Sequence, residues 1–175
     1  MKPFIEGRKI RVAVVGCGRI SRKHFGAIEQ NSDAFELTGV CDTNPEVLAA
    51  HTETYKVPGY HKLEDLLAQN DCDLISLATP SGLHAQEAIM TAKYGRHVMT
   101  EKPMATHWQE GLDMVRACDD AGVFLFVIKQ NRLNPTLQTV KRAVNEGRFG
   151  KIYMVTVNVF WSRPQEYYDS AAWRG

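Results

Sequence analysis

Long apolar runs, paired cysteines and an excess of one charge are all missing from this 175-residue sequence. The longest apolar run, VFLFVI at 123–128, falls far short of the roughly 20 residues that cross a bilayer as a helix. The opening MKPFIEGRKI lacks the apolar core of a signal peptide. A soluble, cytoplasmic protein with no membrane partner is expected. Lys+Arg 21 against Asp+Glu 20 leaves a net charge of +1, with no basic block or acidic tail. Bulk charge therefore gives no reason to expect a nucleic-acid partner. Cys17, Cys41, Cys72 and Cys118 are widely spaced without a C-x-x-C, which argues against a disulfide framework or a zinc pattern. The six histidines form no H-E-x-x-H, and no metal is expected. Internal repeats and low-complexity segments are absent too.

What is present is apolar content of 44%, enough for a sizeable core, arranged as strand-length runs between helical patterns. Strands are predicted at 10–15, 35–41, 74–78, 97–100 and 123–128, with a short one near 59–60. Helices are predicted at 20–29 with Ile20, Phe25 and Ile28 on one side, after the Asn44-Pro45 start, around Leu63, Leu66 and Leu67, and at 84–94. Thr106-x-x-Gln109 matches a capping box, opening a helix through Trp108, Leu112 and Val115. Continuous apolar strands between helices predict a parallel sheet covered on both faces, an α/β doubly wound architecture.

After Asn134-Pro135 the pattern changes. Leu137, Val140 and Val144 mark one more helix, stopped near Gly147. Residues 151–161 alternate, with Tyr153, Val155, Val157, Val159 and Trp161 on one face, and predict a long strand opening a second, mostly antiparallel sheet. One strand cannot stand alone, so a second domain left unfinished at Gly175 is expected. The predicted division is 1–129 and 130–175.

VAVVGCGRIS at 12–21 puts G-x-G at the end of the first strand. Gly16 permits a tight turn, and Gly18 lets the backbone approach a pyrophosphate at the positive end of the next helix. Ser21 stands where a third glycine or alanine is usual. Asp42 closes the second strand, 24 residues past Gly18, about the spacing of a carboxylate that binds adenosine ribose hydroxyls. Thr43, Asn44 and Pro45 follow it, with no cation for a 2′-phosphate, which favours NAD over NADP.

In a parallel sheet the loops after the strands gather at one edge, where ligands bind. ATPSGLH at 78–84, TEKP at 100–103 and KQNR at 129–132 are such loops. Taken alone, each also reads as ordinary capping, a solvated Glu101–Lys102 pair or a polar loop.

Together, GCGRIS, CD at 41–42, ATPSGLH, TEKP and KQNRLNP resemble the Gfo/Idh/MocA oxidoreductase family, in family order along nearly the whole chain. The resemblance implies a Rossmann domain followed by an open-faced sheet domain that binds substrate and makes oligomer contacts, with tetramers expected. Residues 129–175 resemble the family's bacterial branch acting on UDP-N-acetylglucosaminuronic acid in surface-polysaccharide (LPS O-antigen) biosynthesis, where the sugar 3-hydroxyl is oxidised to a ketone. The resemblance implies cofactor contacts from Gly16, Cys17, Gly18, Arg19, Ile20, Asp42, Thr79, Pro80, His84, Glu101, Lys102 and Gln130. It makes Lys102 the catalytic residue that holds the reacting hydroxyl, and it places Arg163, Tyr167 and Arg174 with Lys102 at the nucleotide-sugar substrate. The family's catalytic histidine belongs to a later segment, and no histidine follows His107 here. The chain alone is therefore expected to be inactive. The alternatives are an NAD-binding fragment without catalysis and a family dehydrogenase for inositol or another sugar.

Overall fold

The computed structural model describes residues 5–170. The chain divides into two compact units, Met1–Ile128 and Lys129–Gly175. In the first unit, strands β1 (Ile10–Val15), β2 (Phe35–Cys41), β3 (Gly59–Tyr60), β4 (Leu74–Leu77), β5 (His97–Thr100) and β6 (Leu125–Val127) alternate with helices. The helices are α1 (Ser21–Gln30), α2 (Pro45–Tyr55), α3 (Leu63–Gln69), α4 (His84–Lys93) and α5 (Trp108–Asp120). All strand pairs are parallel, in the order β3-β2-β1-β4-β5-β6. This is the doubly wound Rossmann order, whose reversal beside β1 leaves a crevice between the carboxyl ends of β1 and β4.

The period of two along β1 sorts its side chains between two cores. Val12 and Val14 face Phe25, Ile28 and Leu48 of α1 and α2. Ala13 and Val15 belong to the opposite core with Leu66, Leu67, Ala88 and Met114 of α3, α4 and α5. Helix cover on both faces explains why β1 and β4 are largely apolar, interrupted only by Arg11 and Ser76. In β2 the register slips between Val12 and Ala13, which leaves Thr38 bulged. Asn70 repairs the bulge: its Nδ2 donates to the Thr38 carbonyl at 2.7 Å and its Oδ1 accepts from the Thr38 hydroxyl at 3.0 Å.

Three sequence expectations are corrected here. Ile20 does not lie on the buried stripe of α1; it precedes the helix and is exposed, and the stripe is Ser21, His24, Phe25 and Ile28. The capping box at Thr106 does not form. His107 occupies the cap, Thr106 donates instead to Glu110 at 3.3 Å, and Gln109 donates to Asp113. The buried stripe of α5 is Gly111, Met114 and Cys118, while Trp108 is 81% exposed. Close packing sets that phase, since a Cβ on Gly111 would lie 3.1 Å from Met104.

The third correction concerns the second unit. Helix α6 (Pro135–Asn145) starts as expected, with the Asn134 side chain accepting from the Thr136 N–H and Pro135 in the first turn. Gly147, at φ +69°, follows its end. A short helix α7 (Gln165–Asp169) comes later. Between them, residues 151–161 form no strand. Among the described residues no neighbouring segment pairs with them, and a strand exists only as part of a ladder.

Candidate active site

The glycine loop is built by steric demand at one glycine and by openness at the other. Gly16 has φ +85°, and a Cβ there would stand 2.8 Å from the backbone of Ala78 and Thr79. The turn after β1 and the end of β4 thus pack backbone to backbone, which only glycine allows. A Cβ on Gly18 would meet nothing within 4 Å. Glycine at 18 is therefore not required by the protein's own packing, and the open space fits a bound anion. The backbone N–H groups of Gly18, Arg19 and Ile20 donate to no acceptor among the described residues, whereas the Ser21 N–H returns to the Gly18 carbonyl at 3.1 Å. Free donors at the start of a ten-residue helix suit a pyrophosphate. Ser21 is fully buried, and its hydroxyl donates to the same Gly18 carbonyl at 2.6 Å, so the serine closes the loop in its own way.

Asp42 both shapes this loop and faces it. Its Oδ2 accepts from the Cys17 N–H at 2.7 Å and its Oδ1 from the Asn44 N–H at 2.8 Å. A carboxylate has about four acceptor positions, so two remain for ribose hydroxyls. Burial, with the Asp42 charge adding to it, pushes the Cys17 thiol up to about 12. Burial likewise pushes Cys41 up to about 12. All four cysteines are buried free thiols.

The loops after β4 and β5 are joined by His84, which is buried at the start of α4. One ring nitrogen lies 2.9 Å from the Thr79 carbonyl and the other 2.9 Å from the Pro103 carbonyl. The Thr79 hydroxyl donates to Glu87, whose carboxyl is pushed up by burial. The Thr79 hydroxyl therefore keeps only acceptor capacity for a ligand. Pro80 is exposed.

Lys102 follows β5 and is exposed. The Glu101–Lys102 ion pair is not formed. Glu101 turns inward instead: one carboxylate oxygen accepts from the Lys102 backbone N–H at 3.2 Å, and the other lies 3.2 Å from His24 Nε2. The lysine ammonium is left without a carboxylate partner among the described residues. His24 was missed by sequence reasoning. Its available signal was a polar residue one helical turn from Ser21 and Ile28, on the face that carries Phe25.

Gln130 opens a short 3-10 turn, Gln130–Leu133, in the second unit. In that unit the Arg163 guanidinium stacks 4.0 Å from the Trp161 ring centroid and 4.7 Å from that of Tyr167. Arg163 and Tyr167, two of the four residues expected at the substrate, thus touch each other, while Arg174 lies outside the described residues. Among those residues no group of histidine, cysteine and carboxylate side chains could hold a metal ion. No helix there is long and apolar enough to cross a membrane.

A parallel sheet with a glycine loop after β1, an acid after β2 and a crevice beside β4 defines a dinucleotide-binding Rossmann domain. Residues 10–129 match the Gfo/Idh/MocA profile, described as an oxidoreductase family with an NAD-binding Rossmann fold. The chain belongs to that family. It is 61% identical, with a TM-score of 0.94, to the WlbA dehydrogenase from Bordetella pertussis, solved with NADH and UDP-GlcNAcA; the match covers 96% of this chain and 51% of that one. The WlbA dehydrogenase from Chromobacterium violaceum, also solved with NADH and UDP-GlcNAcA, is 58% identical with a TM-score of 0.96, over 100% of this chain and 51% of that one. A curated relative, the scyllo-inositol 2-dehydrogenase (NADP(+)) IolW of Bacillus subtilis, is 28% identical over 99% of this chain and 48% of its own length. The chain spans about half the length of these relatives.

Proposed function

We propose that this chain is the cofactor-binding half of an NAD-dependent nucleotide-sugar dehydrogenase. On this reading the whole enzyme oxidises the 3-hydroxyl of UDP-N-acetylglucosaminuronic acid to a ketone, in the cytoplasm, for surface-polysaccharide (LPS O-antigen) assembly. The observation that carries it is identity of 61% and 58% to two dehydrogenases whose structures hold NADH and that nucleotide sugar. Residues 1–129 form the NAD domain, and 130–175 begin the substrate and oligomerisation domain of a homotetramer.

The residues present fit the cofactor. The free N–H groups of Gly18, Arg19 and Ile20 would hold the pyrophosphate, and the unused acceptor positions of Asp42 would take the ribose hydroxyls. Cys17 ties that loop to Asp42. By the family resemblance, Thr79, Pro80 and His84 would line the cofactor's path, with Glu101 toward the nicotinamide. Bound NAD supplies the hydride acceptor. The Lys102 ammonium donates to the reacting hydroxyl oxygen and stabilises negative charge as it develops. The Lys102 ammonium has no lone pair, so it would hold the hydroxyl while the proton passed to the histidine that the family carries in a later segment. Arg163, Tyr167 and Arg174 suit the diphosphate and carboxylate of the substrate.

The test uses the full-length protein and follows reduced NAD formed from UDP-N-acetylglucosaminuronic acid. Lys102→Met should lower kcat by about a thousandfold and leave NAD affinity largely unchanged. Turnover that survives this change removes Lys102 from catalysis. A wild-type protein that oxidises scyllo-inositol and ignores the nucleotide sugar replaces this substrate with that of the inositol relatives.

A further inference from the structure

Helix α1 delivers one buried histidine to the sheet edge that carries Lys102. His24 is 5% exposed, yet both of its ring nitrogens have partners outside its own helix. Nδ1 lies 2.7 Å from the hydroxyl of Ser76, a fully buried residue of β4. Nε2 lies 3.2 Å from Oε1 of Glu101, at the end of β5. A carboxylate only accepts, so Nε2 carries the proton and Nδ1 accepts from the Ser76 hydroxyl. Burial holds the imidazole below its ordinary pKa, in keeping with this neutral tautomer. The other carboxylate oxygen of Glu101 receives the Lys102 backbone N–H at 3.2 Å.

We propose that His24 is a positioning residue for Lys102: it fixes the Glu101 carboxylate, and Glu101 fixes the backbone from which the lysine projects. Packing alone gives no reason for a histidine here. A leucine would fill the same stripe beside Phe25 and Ile28 without requiring a buried hydroxyl in β4. The histidine converts Ser76, which sits in the rigid centre of the sheet between β1 and β5, into an anchor for the loop that carries the lysine. Glu101 has three rotatable bonds, and with one oxygen released it would no longer hold Lys102 in one place.

The consequence for rate rests on the dehydrogenase reading; the consequence for the backbone does not. In the full-length protein, His24→Leu should speed hydrogen exchange at the Lys102 amide by about tenfold. It should lower kcat by about a hundredfold, with KM for NAD within about twofold of wild type. His24→Gln, whose amide N–H reaches the same carboxylate, should restore most of both. Ser76→Ala should shift both in the same direction by less, and it serves as the test if His24→Leu does not fold. Unchanged Lys102 exchange and unchanged kcat in folded His24→Leu, or in Ser76→Ala where that variant replaces it, overturn the proposal. An equal loss in His24→Leu and His24→Gln also overturns it, since the bond to Glu101 would then not matter. If the wild type does not oxidise the nucleotide sugar, the functional reading fails and the amide exchange alone decides the role of His24.

Discussion

β1, with the sequence IRVAVV, and residues 152–161, with IYMVTVNVFW, are both strand-length and largely apolar. In the first unit Val12 to Val15 are at most 3% exposed. In the second unit Val157 is 78% exposed and Phe160 is 95% exposed. Residue type does not separate the two segments, because valine is the most frequent residue in both. Neighbours do. β1 is paired on both edges, by β2 and β4, and helices cover both its faces. Residues 152–161 have no ladder partner among the described residues. An apolar alternation therefore states what a segment can bury, and the surrounding chain decides whether it does.

The largest effect should come from breaking the paired region. Leu77 lies fully buried at the end of β4, and Leu77→Ala should destabilise the protein by about 2–5 kcal/mol in urea unfolding. A loss below about 0.5 kcal/mol would mean that this core is not what stabilises the sheet. Next is Asp42→Ala, which should weaken NAD binding by about tenfold and narrow the preference over NADP, read by calorimetry with both cofactors. NADP binding as tightly as NAD in the wild type would remove the reason given for Asp42.

A smaller effect should follow pH through His24. Its folded-state pKa is depressed below the ordinary 6.5, chiefly by burial and against the pull of Glu101. The unfolded chain therefore takes up that proton first. Stability should be complete above 6.5 and should fall as pH drops from there through the folded value. Urea midpoints measured across that window should slope for the wild type and flatten for His24→Gln. The smallest effect should be at Val157. Val157→Ser should leave the unfolding free energy of the first unit, measured in urea, within about 0.5 kcal/mol of wild type, because this side chain is exposed. A loss as large as that of Leu77→Ala would erase the contrast between the two regions.

Much of the first unit was legible because its signals are local. Asn44-Pro45 announced α2, and the Asn44 side chain does accept from the N–H groups of Glu46 and Val47. Glycine spacing announced the turn at Gly16. The start of α5 was misread because Thr106 and Gln109 satisfy a local pattern, while the helix phase answers to Met104 packing on Gly111. Residues 151–161 were misread for the reverse reason: their period of two is local, and the ladder that would make them a strand is not. At the site, the glycine loop, Asp42 and Lys102 were legible as motifs, whereas His24, Ser76 and Glu101 are separated by 52 and 77 residues along their two contacts and share no motif.

By itself the sequence determined the order of strands and helices, the glycine turn and the acid that closes β2, because period, capping and conformational freedom act within a few residues. Only the tertiary structure decided that a Cβ at 16 would collide with the end of β4, and that His84 spans two loops. It also decided that Glu101 turns from its neighbouring lysine to a histidine on another helix. Those outcomes depend on which strands lie side by side, and parallel pairing brings together residues that no local rule connects.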